Sequence, residues 1–344
     1  MTVCFNIRII IIYIALLGGI FCVPELSAKE VSLLIYSGRS EKYIKPVAEA
    51  FSEATGIKTI ITTGTSTGLL NRLKKEKSKT DADIYISNDA GNLYRGNKLG
   101  LFAPVTNKIA SVIPQQFRGE NNNWLGLSGR ARVLVVNTKA KGIDFVQSIF
   151  DLVDPRLKGK IALTRSRNEN YIAGVTTYML STNKDKAKEW LKGLRKNIKA
   201  RVYRSQSSII KAVAKGTKLV GIVDHYSIYS HINKNPNASI RILIPDQKSD
   251  SSDAMGVAWN IAGAAIVSHS KHKTLAMKFM AFVSSVQGQK IFTELRREYP
   301  TRTDVSAVSM LPKGDSFKLA PVAMYQLGEQ RSAAIDLIES VGMP

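Results

Sequence analysis

Residues 31–62 read VSLLIYSGRSEKYIKPVAEAFSEATGIKTIIT, and this stretch decides the fold class. Residues 31–36 form an apolar run that predicts a strand, residues 37–40 predict a turn, and residues 57–62 predict a second strand. The segment between them has the spacing of an amphipathic helix. A strand, a helix and another strand in succession predict a βαβ unit, whose two strands lie parallel in a sheet with covered faces.

The helix between these two strands has one apolar face. Ile44, Val47 and Phe51 recur at the spacing that places them on the same side of a helix. Pro46 is expected in the first helical turn, where its missing N–H group is not needed. Gly56 is expected to end the helix as its C-cap, because glycine readily adopts the left-handed conformation found there.

The same alternation continues along the chain. Residues 64–68, GTSTG, predict the start of a helix that carries Leu69, Leu70 and Leu73 on one side, and residues 83–86 predict a third strand. Further strands are predicted at residues 132–136, 161–163, 220–223 and 256–267, and further helices at residues 187–194, 209–214 and 272–283. This pattern favours two α/β lobes of similar size over one very large sheet.

The first 28 residues have the pattern of a secretory signal peptide. Arg8 precedes an apolar run at residues 9–23, and the small residues of Leu26-Ser27-Ala28 stand just before Lys29. The run is too short for a comfortable membrane span, so a retained membrane anchor is the weaker alternative. The sequence therefore predicts an exported protein that starts near Lys29.

Cysteine usage and net charge limit the possible functions. Cys4 and Cys22 both lie in the predicted signal peptide, so the exported protein would have neither disulfides nor thiolate ligands. The formal net charge is +22, but the lysines are scattered along helices and are not interleaved with aromatic residues, which argues against nucleic-acid binding. Either the basic surface is simply solvated, or it attracts an anionic ligand, an anionic metal complex or a membrane surface.

Eight stretches of the sequence resemble the periplasmic ferric-ion-binding proteins that feed ABC importers, a transferrin-like two-lobe family, and they follow that family's order over nearly all the mature chain. The stretches are YSGRSEK (36–42), ADIY (82–85), NDAG (88–91), WLGLSGRARVL (124–134), DL (151–152), LKGK (157–160), GIVDHY (221–226) and the segment from GQ to EYP (288–300). The resemblance implies an α/β, two-lobe periplasmic binding protein fold of type II, with the ligand cleft between lobes joined by crossing hinge strands.

This resemblance also implies how the chain is divided between the lobes. Residues 1–28 would be the signal peptide, residues 29–131 the first part of lobe 1, and residues 132–254 lobe 2. Residues 255–300 would return to lobe 1, and residues 301–344 would form a C-terminal helical segment packed on lobe 2.

Tyrosines are the candidate iron ligands, because ferric ion is a hard cation that prefers oxygen donors and phenolate in particular. The family usually supplies two adjacent tyrosines, and the corresponding pair here is Tyr226 and Ser227. Tyr229 lies one helical turn further on and is a plausible replacement for the second tyrosine. The resemblance implies two further candidates, Tyr171 in the loop after the strand predicted at 161–163, and Asp89.

Arginines are the candidate anion ligands, because an exogenous anion such as carbonate or phosphate completes the ferric shell in this family. Arg39, Arg130 and Arg132 stand at motif positions, and the planar guanidinium group binds oxyanions in a bidentate way. Ser40 and Asn88 occupy two positions from which family ligands come, and we expect them to contact the anion. The alternative for each arginine is a surface or interlobe ion pair.

The predicted function is that of a monomeric, periplasmic solute-binding protein. It would bind Fe³⁺, with carbonate or phosphate as a synergistic anion, and deliver it to an ABC permease in the inner membrane. No nucleophile elbow, metalloprotease histidine pair or nucleotide-binding loop is present, so catalysis is not expected. The alternatives are a same-fold protein that binds an oxyanion, a phosphonate or a small organic cation, and a metal-delivery or adhesion role that depends on the basic surface.

Overall fold

A computed structural model describes residues 31–198, 202–247, 255–314 and 316–344. The predicted signal peptide and the predicted start near Lys29 lie outside these residues. Within the described ranges, no helix combines the length and the apolar character that crossing a membrane requires.

Strands and helices alternate through most of the described chain. The strands are β1 (Leu33–Ser37), β2 (Thr59–Thr63), β3 (Ile84–Ser87), β4 (Phe102–Ala103), β5 (Leu125–Asn137), β6 (Ile161–Ala162), β7 (Val220–Asp224), β8 (Ile240–Leu243), β9 (Trp259–Val267) and β10 (Tyr299–Pro300). The helices are α1 (Glu41–Thr55), α2 (Ser66–Glu76), α3 (Ala90–Lys98), α4 (Asn107–Ala110), α5 (Glu169–Ser181), α6 (Lys184–Ile198), α7 (Gln206–Ala214), α8 (His225–Lys234), α9 (Lys273–Val283), α10 (Val286–Arg296), α11 (Met324–Glu329) and α12 (Arg331–Val341).

The predicted βαβ unit is confirmed. β1 pairs in parallel with β2 on one side and with β3 on the other. α1 buries Ile44, Val47 and Phe51, and it ends at Gly56, which has a φ of 73° and donates its N–H to the carbonyl oxygen of Ser52. The helical spacing of the apolar residues and the C-cap glycine were therefore sufficient to locate this helix.

The expected position of Pro46 is wrong. Pro46 lies inside α1 and not in its first turn, because the helix already begins at Glu41, after Ser40 has adopted the extended conformation of an N-cap. A proline inside a helix removes one backbone hydrogen bond. The helix tolerates that loss because its buried face packs on β1 and on α9 and α10.

β5 is the strand that joins the two lobes. Its 13 residues are all buried. Residues 125–131 pair with β9, and residues 132–136 pair with β7, so the partner strand changes between Ala131 and Arg132. One long buried strand therefore runs through both lobes, and the sheet is continuous in the order β2-β1-β3-β9-β5-β7-β6.

We define the lobes by these pairings. The first lobe contains β1–β4, β9 and residues 125–131 of β5, with α1–α4, α9 and α10; the second contains residues 132–137 of β5 and β6–β8, with α5–α8. The sheet of the first lobe is mixed, because β9 runs antiparallel to β3 and to β5. The C-terminal segment, expected on the second lobe, contacts both lobes: α11 packs on α3, and α12 packs on α5 and α6.

A glycine permits close packing where β5 and β9 pair. The indole ring of Trp259 lies directly over Gly129, so that a β-carbon at position 129 would come within 2.1 Å of Trp259 Cζ2. The ring of Trp259 also packs against that of Tyr299, with a centroid distance of 5.2 Å. The packing of Trp259 over position 129 therefore requires glycine in the Ser128-Gly129-Arg130 sequence.

Candidate functional site

A cleft of about 650 Å³ lies between the two lobes. Its walls come from segments that follow strands: Gly38 after β1, residues 64–67 after β2, and Asn88 after β3 in the first lobe, with residues 167–170 and Tyr226 in the second lobe. Ligands of α/β proteins bind outside the carboxyl ends of such strands. Arg130, Arg296 and Arg331 complete the lining.

Tyr226 is the predicted tyrosine ligand that lines this cleft. β7 passes directly into α8, so Tyr226 lies in the first turn of that helix and not in a loop. Its hydroxyl group donates to Asp224 Oδ2 at 3.3 Å. Burial, followed by the negative charge of Asp224, raises the pKa of Tyr226 to about 12, although Arg296 and Arg130 act in the opposite direction.

Asp224, the hydrogen-bond partner of Tyr226, is buried and does not itself line the cleft. The Asp224 carboxylate also accepts hydrogen bonds from Asn170 Nδ2 at 2.7 Å and from Gln206 Nε2 at 2.6 Å. It forms an ion pair with Arg132 at 3.0 Å. Burial would raise the pKa of Asp224, but Arg132 and Arg130 outweigh it and hold that pKa below its ordinary value.

Arg130 and Arg132 flank the point where β5 changes its partner strand, and the structure gives them different roles. Arg130 lines the cleft and donates to the carbonyl oxygen of Asn88 and, at 2.9 Å, to Asn170 Oδ1, so it connects the two lobes. Arg132 lies behind the cleft and binds Asp224. Of these two predicted anion ligands, only Arg130 reaches the cleft wall.

The structure does not bring Arg39 into the cleft. The Arg39 side chain is 1% exposed, and its Nη2 donates to Glu298 Oε2 and to Ser128 Oγ, both at 2.7 Å. Burial would raise the pKa of Glu298, but Arg39, Arg296 and Arg130 together hold that pKa well below its ordinary value. In this structure Arg39 is thus engaged by a carboxylate of its own lobe.

Asp89 is also fully engaged. It is buried as the N-cap of α3, where its carboxylate accepts from the backbone N–H of Asn92 at 3.0 Å and from Asn260 Nδ2 at 3.1 Å. Arg331 Nη1 lies 3.5 Å from the same carboxylate. These partners occupy both carboxylate oxygens, so Asp89 serves the helix terminus and does not line the cleft.

Asn88 and Ser40, the two remaining predicted anion ligands, are placed differently. Asn88 lines the cleft; its Nδ2 donates to the carbonyl oxygen of Gly38 at 2.6 Å, and its buried Oδ1 has no hydrogen-bond partner within the described part of the chain. The atom that Asn88 has free is therefore an acceptor, which suits a cation or a donor better than an anion. Ser40 is an exposed N-cap residue of α1 and does not line the cleft.

Neither of the other two predicted tyrosine ligands reaches the cleft. Tyr171 lies in the first turn of α5, 3% exposed, in the core of the second lobe, and burial raises its pKa. The segment was expected to be a loop, but Asn168 caps a helix there and turns Tyr171 inward. Tyr229 contacts the same His225 ring as Tyr226, with centroid distances of 6.5 Å and 5.9 Å, but it packs against the core and does not line the cleft.

Glu169 is a cleft residue that the sequence analysis missed. It lies in the second lobe, and its Oε1 accepts from Thr67 Oγ1 at 2.7 Å and from Asn92 Nδ2 at 3.2 Å, both in the first lobe. These two bonds and those of Arg130 hold the lobes together across the cleft. The polar run after the strand predicted at 161–163 was the available signal, because such runs follow strands at this edge of a sheet.

The cleft carries an excess of positive charge. Arg130, Arg167, Arg296 and Arg331 line it, against the single carboxylate of Glu169. Among the described residues, no group of three or more histidine, cysteine, aspartate or glutamate side chains could hold a metal ion. The oxygen donors that this cleft offers to a metal ion therefore include the side chains of Tyr226, Asn88 and Glu169.

Known proteins resemble this chain along most of its length. The family described as bacterial extracellular solute-binding protein matches residues 47–318. The major ferric iron-binding protein of Neisseria meningitidis serogroup B is 26% identical over 327 residues, which cover 90% of this chain and 93% of that protein.

Two solved structures resemble this one in fold. Iron-bound HitA from Pseudomonas aeruginosa is 26% identical with a TM-score of 0.83, over 91% of this chain and 100% of that one. A Trichodesmium protein in complex with iron and citrate is 27% identical with a TM-score of 0.81, over the same shares. The predicted α/β, two-lobe binding-protein fold is thereby confirmed.

Proposed function

Because this chain belongs to the bacterial extracellular solute-binding protein family, we propose that it is the periplasmic component of an ABC importer that binds ferric iron between its lobes. The relatives named above are iron-binding proteins, and the cleft occupies the position at which two-lobe proteins enclose their ligand. Closure of the lobes about β5, the strand that runs through both, would bury the ligand before delivery.

The observation that carries this proposal is the position of Tyr226. Its side chain lines a polar cleft shared by both lobes, and phenolate is the donor that Fe³⁺ prefers. The cation must displace the phenol proton, so binding releases a proton and weakens as the pH falls. The side-chain oxygens of Asn88 and Glu169 are further acceptors among the residues that line the cleft.

The arginines indicate that iron enters together with an oxyanion. Four guanidinium groups face one carboxylate and one phenol, so a bare trivalent cation would add to an existing excess of positive charge. An anion that ligates the iron offsets this charge and supplies the donors that Ser227 does not. We assign the anion to Arg130, Arg167 and Arg296, which present guanidinium groups to the cleft.

A second candidate function is favoured by the same four arginines. An oxyanion or a phosphonate without iron would find bidentate donors in the cleft and would not need a phenolate. The helix α2 also points its N-terminus at the cleft through residues 64–67. The absence of a second tyrosine at Ser227 agrees with this alternative.

Export to the periplasm, removal of residues 1–28 and delivery to an inner-membrane permease belong to the same proposal. So do a monomeric state and the absence of enzymatic activity. The family supports the role in import, and the signal pattern in the sequence supports export. Mass spectrometry of the exported protein should show the loss of about 28 residues.

A thermal melt with three separate additions tests the proposal: ferric citrate, citrate alone and orthophosphate. Ligand that binds only the native protein raises the melting temperature. We expect the largest rise with ferric citrate, accompanied by a visible phenolate-to-iron absorption band. Tyr226→Phe should abolish the band, whereas Tyr171→Phe, whose hydroxyl group is buried in the core, should leave it unchanged.

Two results would overturn the ferric proposal. A rise in melting temperature with orthophosphate or citrate alone, with no further rise and no absorption band when the citrate carries iron, would establish the anion-binding alternative. An iron complex of Tyr226→Phe with the affinity and colour of the parent would show that this cleft is not the iron site.

A further inference from the structure

Arg296 lies between aromatic rings that belong to different lobes. Its guanidinium carbon is 4.6 Å from the ring centroid of Tyr43 and 4.3 Å from that of Tyr226. Tyr43 and Arg296 lie on α1 and α10 of the first lobe, which pack against each other, and Tyr226 lies on α8 of the second. The guanidinium group therefore makes one cation–π contact within the first lobe and one that joins it to the second lobe.

The positive charge of Arg296 is only partly neutralised within the protein. Glu298 is its carboxylate partner among the described residues, at 3.5 Å from Nε, and that separation is too long for a hydrogen bond. The same carboxylate lies closer to Arg39, at 2.7 Å. Since Arg39 holds Glu298 more closely, Arg296 retains charge that can act on whatever occupies the cleft.

The position of Arg296 makes it a boundary of the ligand site. With Tyr226 it lines both the cleft and a second, larger cavity of about 1230 Å³ outside the cleft. Its side chain is 16% exposed, so it is accessible to a ligand while it is held by the two rings. A ligand that reaches Tyr226 from either side therefore meets this guanidinium group.

We propose, on the basis of the ferric function argued above, that Arg296 is a positioning and specificity-determining residue of this site. It holds the ring of Tyr226 at the cleft by joining it to Tyr43, and it places a fixed positive charge beside the ligand. It thereby selects an iron complex that carries its own anion over the bare cation. The residue after Tyr226 is Ser227, and among the described lining residues the cleft has one phenol, that of Tyr226, and one arginine stacked on it.

Guanidinium geometry distinguishes this role from a general effect of charge. A planar guanidinium group can stack on both rings at once, whereas the ammonium group of lysine keeps the charge but loses the flat stacking surface. Arg296→Lys should consequently restore part of what Arg296→Gln loses. A purely structural contact would not show this dependence on charge.

The test compares Arg296→Gln, Arg296→Lys and a matched control, Arg72→Gln, in ferric citrate titrations at neutral pH. Arg72 also stacks on a tyrosine, at 4.7 Å from the ring of Tyr36, and pairs with Glu76, but it lies outside the cleft. We expect Arg296→Gln to weaken ferric citrate binding by about tenfold or more and to shift the visible absorption band. Arg296→Lys should lose less, and Arg72→Gln should bind as the parent does.

A ligand-free measurement keeps this inference distinct from the ferric proposal. Small-angle scattering should show a larger radius of gyration for Arg296→Gln than for Arg72→Gln, because one connection between the lobes is removed. If the parent fails to bind ferric citrate, the ferric proposal fails, and with it the assigned specificity. If the parent binds, but Arg296→Gln matches Arg72→Gln in affinity, absorption band and radius of gyration, the role of Arg296 is refuted.

Discussion

Replacing Arg39 by methionine should destabilise the protein severely and should do so whether or not ligand is present. The Arg39 guanidinium group lies 2.7 Å from Glu298 Oε2, and both side chains are 1% exposed. Removal of one partner from a buried ion pair leaves a charge without compensation and costs about 3–5 kcal/mol. Ser128 and Arg296 still contact Glu298, so the lower end, about 3 kcal/mol, is expected.

Urea unfolding at neutral pH measures this loss, with Arg72→Met as the matched control. Arg72 forms an equally short ion pair with Glu76 at 2.6 Å, but its side chain is 52% exposed. Exposed pairs contribute about 0–1 kcal/mol, so this variant should unfold almost as the parent does. The double variant Arg39→Met with Glu298→Leu should lose less than Arg39→Met alone, because no buried carboxylate is then left behind.

One result would refute this reasoning and support the anion-binding role that the family resemblance implies for Arg39. In that result, Arg39→Met would unfold at the same urea concentration as Arg72→Met but would no longer bind ferric citrate or orthophosphate. The structure predicts the reverse order of effects, a large loss of stability with ligand affinity retained in the folded fraction.

Three further outcomes are expected. Tyr226→Phe should weaken ferric citrate binding by at least about 100-fold in equilibrium dialysis, whereas Tyr171→Phe should bind as the parent does, because its hydroxyl group is buried outside the cleft. Glu169→Ala removes two hydrogen bonds across the cleft, and calorimetric titration should show about tenfold weaker binding of the same ligand. The pKa values of Glu298 and Asp224 are held below their ordinary values. The stability that these carboxylates contribute should therefore be complete above about pH 5 and decline as the pH falls further. Urea midpoints that stay constant down to about pH 3 would contradict this.

Much of the fold could be predicted from the sequence because its signals are local. Apolar spacing over a few residues identified the βαβ unit of residues 31–62, and Gly56 marked the end of α1. The place of Tyr226 after β7 also followed from a short stretch, GIVDHY. The same kind of signal failed for Tyr171, because a single cap residue, Asn168, turned an expected loop into the first turn of a buried helix.

The roles of the arginines were decided only by the tertiary structure. Arg39 stands at a motif position, yet its partner Glu298 is 259 residues away in the sequence. The Glu298 carboxylate lies close to both Arg39 and Arg296. It is buried against Arg39, whereas Arg296 lines the cleft. A local pattern specifies backbone conformation over a few residues, whereas the state of a charge depends on which carboxylate the folded chain brings beside it and on how much water it excludes.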